Sequence, residues 1–249
     1  MRVLQFTDPH LPGSPGMRVR DVATEATLAR CIAHAKRRHP RPDAVLLTGD
    51  LAHDDAGGYA MLRERFGDTE APVHCLPGNH DDPAAVRAAL DAPPFVHDFA
   101  RRYGDWMIIM MDSTVAGLHG GHLDAEELAR LDAALAAQPG AHALVCLHHH
   151  PVPHGSAWLD ELMLDNADEF FALLARHPGV RGLAWGHTHQ PFEGMHGHIR
   201  LMGTPSTCMQ FAQDADEFQV DERPPAYRWI ELGKDGNVET GVEWVHEHA

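Results

Sequence analysis

Ala44-Val45-Leu46-Leu47-Thr48-Gly49-Asp50 is a short apolar run that stops at a threonine, a glycine and a carboxylate. An uninterrupted run of this length suits a strand buried on both faces. The same pattern recurs outward in both directions. Residues 3–6 stop at Thr7-Asp8-Pro9-His10, and residues 73–76 at Pro77-Gly78-Asn79-His80. Residues 144–147 stop at His148-His149-His150-Pro151, and residues 180–185 at Gly186-His187-Thr188-His189. Each run therefore delivers a polar or metal-capable side chain to one end of a strand.

Helical patterns lie between these runs. Asp21 is placed to cap a helix whose inward stripe is Leu28, Cys31, Ile32 and Ala35. Asp124, with Glu127 three residues on, resembles a capping box ahead of Leu128, Leu131 and Leu135. Residues 167–176 carry Phe170, Phe171 and Leu174 and stop before Pro178. Further strands are expected at 106–111, 199–202, 227–232 and 238–245, the last two joined as a hairpin through Lys234-Asp235-Gly236-Asn237. Strands alternating with helices argue for an α/β layered fold. The polar stretch 214–225 reads as a surface loop. Without a repeat or a linker, residues 1–249 read as a single domain.

Composition narrows the function. An apolar fraction of 44% is enough for a large core. No apolar run approaches the ~20 residues that cross a bilayer, and no signal peptide is evident, so a cytoplasmic location is expected. Cys31, Cys75, Cys146 and Cys208 form no C-x-x-C pair and read as small buried hydrophobes. A formal net charge of −16, with Lys36 and Lys234 the only lysines, repels long nucleic acid and anionic lipid. A small anionic substrate would then need strong local positive charge, which bound divalent cations supply.

Histidine is over-represented, at 21 residues, so its placement matters. In open α/β sheets, sites lie at the carboxyl ends of strands. There the chain offers Asp8, His10, Asp50, Asn79, His148 or His149, His187 and His189. Carboxylate, amide and imidazole together suit manganese, iron or zinc better than magnesium or calcium. One bridging Asp is a standard way to hold two cations ~3.5–4 Å apart. Each motif alone is weak, since Gly-Asp also occurs elsewhere, as at Gly104-Asp105. Their fixed order, each piece at a strand end, is what separates them from chance.

In these pieces the sequence resembles the calcineurin-like metallophosphoesterases: Asp8-x-His10, Gly49-Asp50, Gly78-Asn79-His80-Asp81, His149-His150-Pro151 and Gly186-His187-Thr188-His189 match that family's signature in order. Leu147 to Pro153, Trp158-Leu159-Asp160, Asn166 and the segment 203–211 are similar to the class III cyclic nucleotide phosphodiesterases of bacteria. The resemblance implies a four-layer α/β/β/α sandwich of two mixed sheets flanked by helices. It also implies two metal ions (manganese, iron or zinc). Asp8, His10 and His189 would hold the first, Asn79, His149 and His187 the second, and Asp50 would bridge. His149 stands two residues before the proline, as the ligand usually does in this family; His148, directly after its strand, is the alternative.

The implied reaction is hydrolysis of a cyclic nucleotide phosphodiester, 3′,5′-cyclic AMP to 5′-AMP, by attack of a metal-bridging hydroxide. Two cations would bring a water's pKa toward ~7 and neutralise charge as it grows in the transition state. Asn79 can bind metal through its amide oxygen and aim its NH₂ at a phosphate oxygen. His80 is the candidate general acid, with Asp81 expected to orient its imidazole. Alternatives are a broader phosphodiesterase acting on 2′,3′-cyclic nucleotides or glycerophosphodiesters, and a non-catalytic metal-binding partner protein. His150 and His154 read as solvated or supporting residues, and Trp158 as either a base-stacking surface or a core residue. His53, His97, His119 and His122 read as loop residues, with His119 or His122 able to border the cleft; His246 and His248 read as surface residues. Gly120-Gly121 lacks the lysine of a phosphate-binding loop, and His246-Glu247-His248 lacks metalloprotease spacing.

Overall fold

The structure, a computed structural model, describes residues 1–247. Its first half runs β1 (Arg2–Phe6), α1 (Thr24–Arg38), β2 (Ala44–Thr48), α2 (Gly58–Phe66), β3 (Val73–Leu76), α3 (Pro83–Ala89), β4 (Phe95–Val96), β5 (Ala100–Tyr103) and β6 (Trp106–Met110). The second half runs α4 (Ala125–Ala136), β7 (His142–Cys146), α5 (Ala157–Asp160), α6 (Ala167–Leu174), β8 (Val180–Trp185), β9 (Phe192–His196), β10 (Ile199–Gly203), β11 (Gln210–Phe211), β12 (Val220–Asp221), β13 (Ala226–Leu232) and β14 (Val238–Trp244).

Two six-stranded sheets result, ordered β14-β13-β1-β2-β3-β4 and β5-β6-β7-β8-β10-β9. In the first, β1 to β4 are parallel, β13 runs antiparallel beside β1, and β14 returns antiparallel to β13 at the edge. In the second, β6, β7, β8 and β10 are parallel, with antiparallel β5 and β9 at the edges. Both sheets are mixed, as expected.

Strand periodicity explains the layers. Leu4, Phe6, Val45 and Leu47 point outward onto Leu28, Cys31, Ile32, Tyr59 and Leu62 of α1 and α2. The alternate residues Val3, Ala44 and Leu46 point the other way, meeting Ile108, Leu144, Cys146, Ala184 and Met202 of the second sheet. The second sheet in turn sends Ile109, Val145 and Leu183 against Leu128, Leu131, Phe170 and Leu174 of α4 and α6. Period-two alternation on strands buried on both faces thus gives the α/β/β/α order. All four cysteines are free and buried.

Several local expectations change. Asp21 does not cap α1: it sits at φ 64°, and the helix starts after Ala23, with no side-chain cap. Asp124 does cap α4, accepting from the Glu127 N–H at 2.8 Å. The 214–225 loop contains β12, which pairs with β11. His246 is exposed, and His248 lies outside the described residues. No helix among the described residues is long and apolar enough to cross a membrane.

Candidate metal centre

The loops after β1 and β2 run side by side. The Asp8 N–H donates to the Gly49 carbonyl at 3.0 Å, the His10 N–H to that of Asp50 at 2.9 Å, and the Leu11 N–H to that of Leu51 at 3.1 Å. This pairing carries Asp8, His10 and Asp50 toward one point. Asp8, His10, Asp50, His187 and His189 all have positive φ, between 44° and 63°. Such backbone is sparsely populated for residues with a Cβ and persists where the surroundings over-determine it. Gly49, at φ 95°, leaves no room for a side chain: a Cβ there would collide with the His148 ring.

Asp50 lies between two groups of histidines. Its Oδ2 is 3.5 Å from His10 Nε2 and its Oδ1 is 3.4 Å from His148 Nε2, while the His80 N–H donates to Oδ1 at 2.9 Å. Burial alone would raise the Asp50 carboxyl; the charges and hydrogen bond of His148, with His10 and His80, outweigh it and hold the group well below the usual carboxylate range. Burial likewise disfavours charge on His148, but Asp50 dominates and pushes that imidazole up to about 9. The pair calls for positive charge at this point, which a proton or a metal cation can equally provide.

Asp8 is fully buried and accepts the His187 N–H at 3.0 Å. Its Oδ1 is 3.5 Å from His189 Nε2. His189 Nδ1 faces the Met209 carbonyl at 2.8 Å, and His148 Nδ1 faces the Thr48 carbonyl at 2.9 Å. A carbonyl fixes the proton on Nδ1 and leaves the Nε2 lone pair directed inward, as metal-ligating histidines require. His10 Nε2 lies 3.1 Å from His189 Nε2, and burial drives His10 well below its ordinary pKa. With the His189 lone pair aimed at it, the His10 nitrogen either donates a proton to that lone pair or shares a cation with it. The buried His187 Nε2 has no hydrogen-bond partner. Among the described residues four donor groups emerge: Asp8, His10 and His189; Asp8, Asp50 and His148; His148, His149 and His187; and, at the rim, His10, His53 and His80. This Asp/His cluster is suited to a pair of metal ions.

Of the two adjacent candidates, His148 faces the carboxylate, and its Nε2 is 3.2 Å from Asn79 Oδ1. His149 has Nδ1 engaged by the Ser113 hydroxyl at 2.8 Å and Nε2 by the His119 carbonyl at 3.2 Å. Asn79 Nδ2 is 3.2 Å from His119 Nδ1.

Asp81 does not orient His80. Its carboxylate accepts the N–H groups of Leu51 at 2.9 Å, Ala52 at 3.0 Å and Gly78 at 2.9 Å, plus the Tyr59 hydroxyl at 3.0 Å. It therefore fastens two ligand-bearing loops together. Burial and the Asp50 charge raise it to about 6 despite those donors. The partner of His80 is Asp54, whose Oδ1 is 2.9 Å from His80 Nδ1. Nothing in the linear sequence separates Asp54 from its neighbour Asp55; the left-handed turn at Asp54, φ 56°, selects it. His53, read as an ordinary loop residue, contacts His10 (Nδ1 to Nδ1, 3.2 Å) and lines the cleft with His119. His150 is fully buried and its ring lies parallel to that of His187, centroids 5.6 Å apart. His154 stands behind it, 3.3 Å from Gln190 Oε1 and 3.2 Å from Trp185 Nε1.

These donors open onto a cleft of about 240 Å³. Its floor includes His10, Asp50, Asn79, His80, His187 and His189, and its far wall includes Trp158, Phe211 and Phe218.

Comparison with known proteins gives this geometry a context. The chain is 35% identical to the 3′,5′-cyclic adenosine monophosphate phosphodiesterase CpdA of Pseudomonas aeruginosa, over 98% of this chain and 90% of that protein. It is 38% identical to the Escherichia coli K12 protein of the same name, over 97% of this chain and 89% of that one. The fold is similar to that of a dimetal phosphatase from Danio rerio, with a TM-score of 0.66 at 11% identity, covering 98% and 99% of the two chains. A family model, calcineurin-like phosphoesterase, matches residues 1–191, the span that carries every donor described above, and the chain belongs to that family.

Proposed function

We propose that the chain hydrolyses a 3′,5′-cyclic nucleotide, opening 3′,5′-cyclic AMP to 5′-AMP. One observation carries the reading: Asp50 holds its two oxygens 3.5 Å and 3.4 Å from imidazole nitrogens of two different donor groups, the position of a bridging ligand. The substrate follows from relatives named for that activity at 35% and 38% identity over nearly the whole chain.

Asp8, His10 and His189 would hold one cation, Asn79, His148 and His187 the other, with Asp50 shared. His149 backs the second group through Ser113 and His119. The mixed oxygen and nitrogen donors suit manganese, iron or zinc. Two such ions supply Lewis acidity, lowering the pKa of a water toward ~7 and offsetting the charge of the phosphate oxygens.

The chain's own residues do the rest. Asn79 offers its NH₂ to a non-bridging oxygen of the phosphate. His80, on the cleft floor, donates a proton to the departing 3′ oxygen, a contribution of ~10²–10⁴-fold for a positioned acid. Asp54 holds Nδ1 of that ring, which leaves Nε2 to carry the proton. Asp81 keeps the Asp50 and Asn79 loops in register.

The test is turnover by manganese-loaded protein of 3′,5′-cyclic AMP, its 2′,3′ isomer and an aryl diester. Release of 5′-AMP from the 3′,5′ substrate is expected. Turnover confined to the other two would shift the assignment to a broader phosphodiesterase, and none at all would favour a binding protein.

A further inference from the structure

The cleft is two-sided. Opposite the donors stand Val19, Trp158, Leu159, Met209, Phe211 and Phe218. The three rings do not stack on one another. Trp158 meets Phe211 at 5.4 Å and 65°, Trp158 meets Phe218 at 5.4 Å and 76°, and Phe211 meets Phe218 at 5.1 Å and 69°. Rings set steeply in this way form a corner. Phe211 also lies flat on the His189 ring, centroids 4.0 Å apart at 6°, so the corner is continuous with the donor cluster. Neither Trp158 nor Phe218 belongs to any of the buried apolar clusters, and Phe218 is 41% exposed. Large rings left out of every core, at the rim of a charged site, are surface for a ligand.

We infer that this corner receives the base of the nucleotide whose phosphate sits over Asp50 and Asn79, an inference that rests on the proposed cyclic nucleotide substrate. A cleft with a polar floor and an aromatic wall fits a molecule that is anionic at one end and flat and apolar at the other. Arg20 completes the match. Its guanidinium carbon is 4.6 Å from the Phe218 ring centroid, and among the described residues it is the only arginine or lysine lining the cleft. In a chain of net charge −16 it gives the mouth a local cation for an anionic ligand. The indole nitrogen of Trp158 has no hydrogen-bond partner, so exchanging this ring for phenylalanine removes no bond.

Calorimetric titration of manganese-loaded protein with 5′-AMP and with ribose 5-phosphate isolates the base, since the second ligand carries a hydroxyl where the first carries adenine. The wild type is expected to prefer 5′-AMP. Phe218→Ala and Trp158→Ala should each reduce that preference about ten-fold, within the range of one lost stacking contact. Phe218→Tyr and Trp158→Phe should retain it. A wild type without the preference, or folded alanine variants that keep it, overturns the inference. Cyclic AMP turnover is read separately. A protein that cannot open cyclic AMP yet shows the ring-dependent preference refutes the proposed substrate and leaves the corner standing; turnover with an unmoved preference does the reverse.

Discussion

Asp54 and His80 show how much one side chain can decide at the residue scale. If Asp54 fixes the proton on Nδ1 of His80, Asp54→Asn should lower kcat on cyclic AMP about ten-fold, below the full value of a general acid. Metal content by elemental analysis should be unchanged, and the loss should shrink on an aryl diester whose leaving group needs no proton. An equal loss on both substrates would remove the acid role. His74 makes a separate prediction. Burial lowers it to about 4, with its Nε2 2.7 Å from the Tyr103 hydroxyl. The folded state therefore stays unprotonated where the unfolded chain, near 6.5, binds a proton. Stability is intact above about pH 6.5 and falls by up to roughly 3 kcal/mol as pH drops toward 4. In urea titrations across that window, His74→Gln should show a shallower decline; an unchanged slope would mean His74 is not the group responsible. Legibility at this scale was uneven. Asp8, His10, Asp50, His187 and His189 stood out because each follows an apolar run. The choice between His148 and His149 did not, since it depends on which way a ring turns when Ser113 and His119 arrive from a distant loop.

Elements were legible where burial was two-sided. The strands β1, β2, β3, β7 and β8 read directly, because continuous apolar runs have few other homes. Edge strands β5 and β9 were missed: Ala100–Tyr103 and Phe192–His196 are half exposed, and their residues carry no clear period. α2 was missed as well, its nine residues being fixed by packing of Tyr59, Leu62 and Phe66 onto the outer core. The inter-sheet layer yields a direct test. Leu46 on β2 is fully buried between the sheets, so Leu46→Ala should cost about 3 kcal/mol by denaturant unfolding, with the m-value unchanged. A loss under ~1 kcal/mol would mean that this layer is loosely packed.

Across the whole molecule, the donors divide by sheet. Asp8, His10, Asp50 and Asn79 follow strands of the first sheet, and His148, His187 and His189 follow strands of the second. A buried polar seam also joins the sheets: Gln5 Nε2 donates to the Trp185 carbonyl at 3.1 Å, Thr204 donates to Gln5 Oε1 at 2.6 Å, and Arg228 Nη2 donates to the Gly203 carbonyl at 2.8 Å. Ions held across that junction would bind the native state in preference to the unfolded chain, so chelation should lower Tm by about 5–10 °C and added manganese should restore it. Identical scanning-calorimetry traces with and without chelator would contradict a site that spans the sheets. The division has a further consequence. Each half of the donor set is anchored in its own helix-backed layer, so a slide of one layer over the other separates the halves without unwinding a helix or breaking a ladder. Catalysis would then be extinguished at denaturant concentrations where circular dichroism still reports a native-like protein, making activity a finer gauge of interlayer alignment than any measure of helix or strand content.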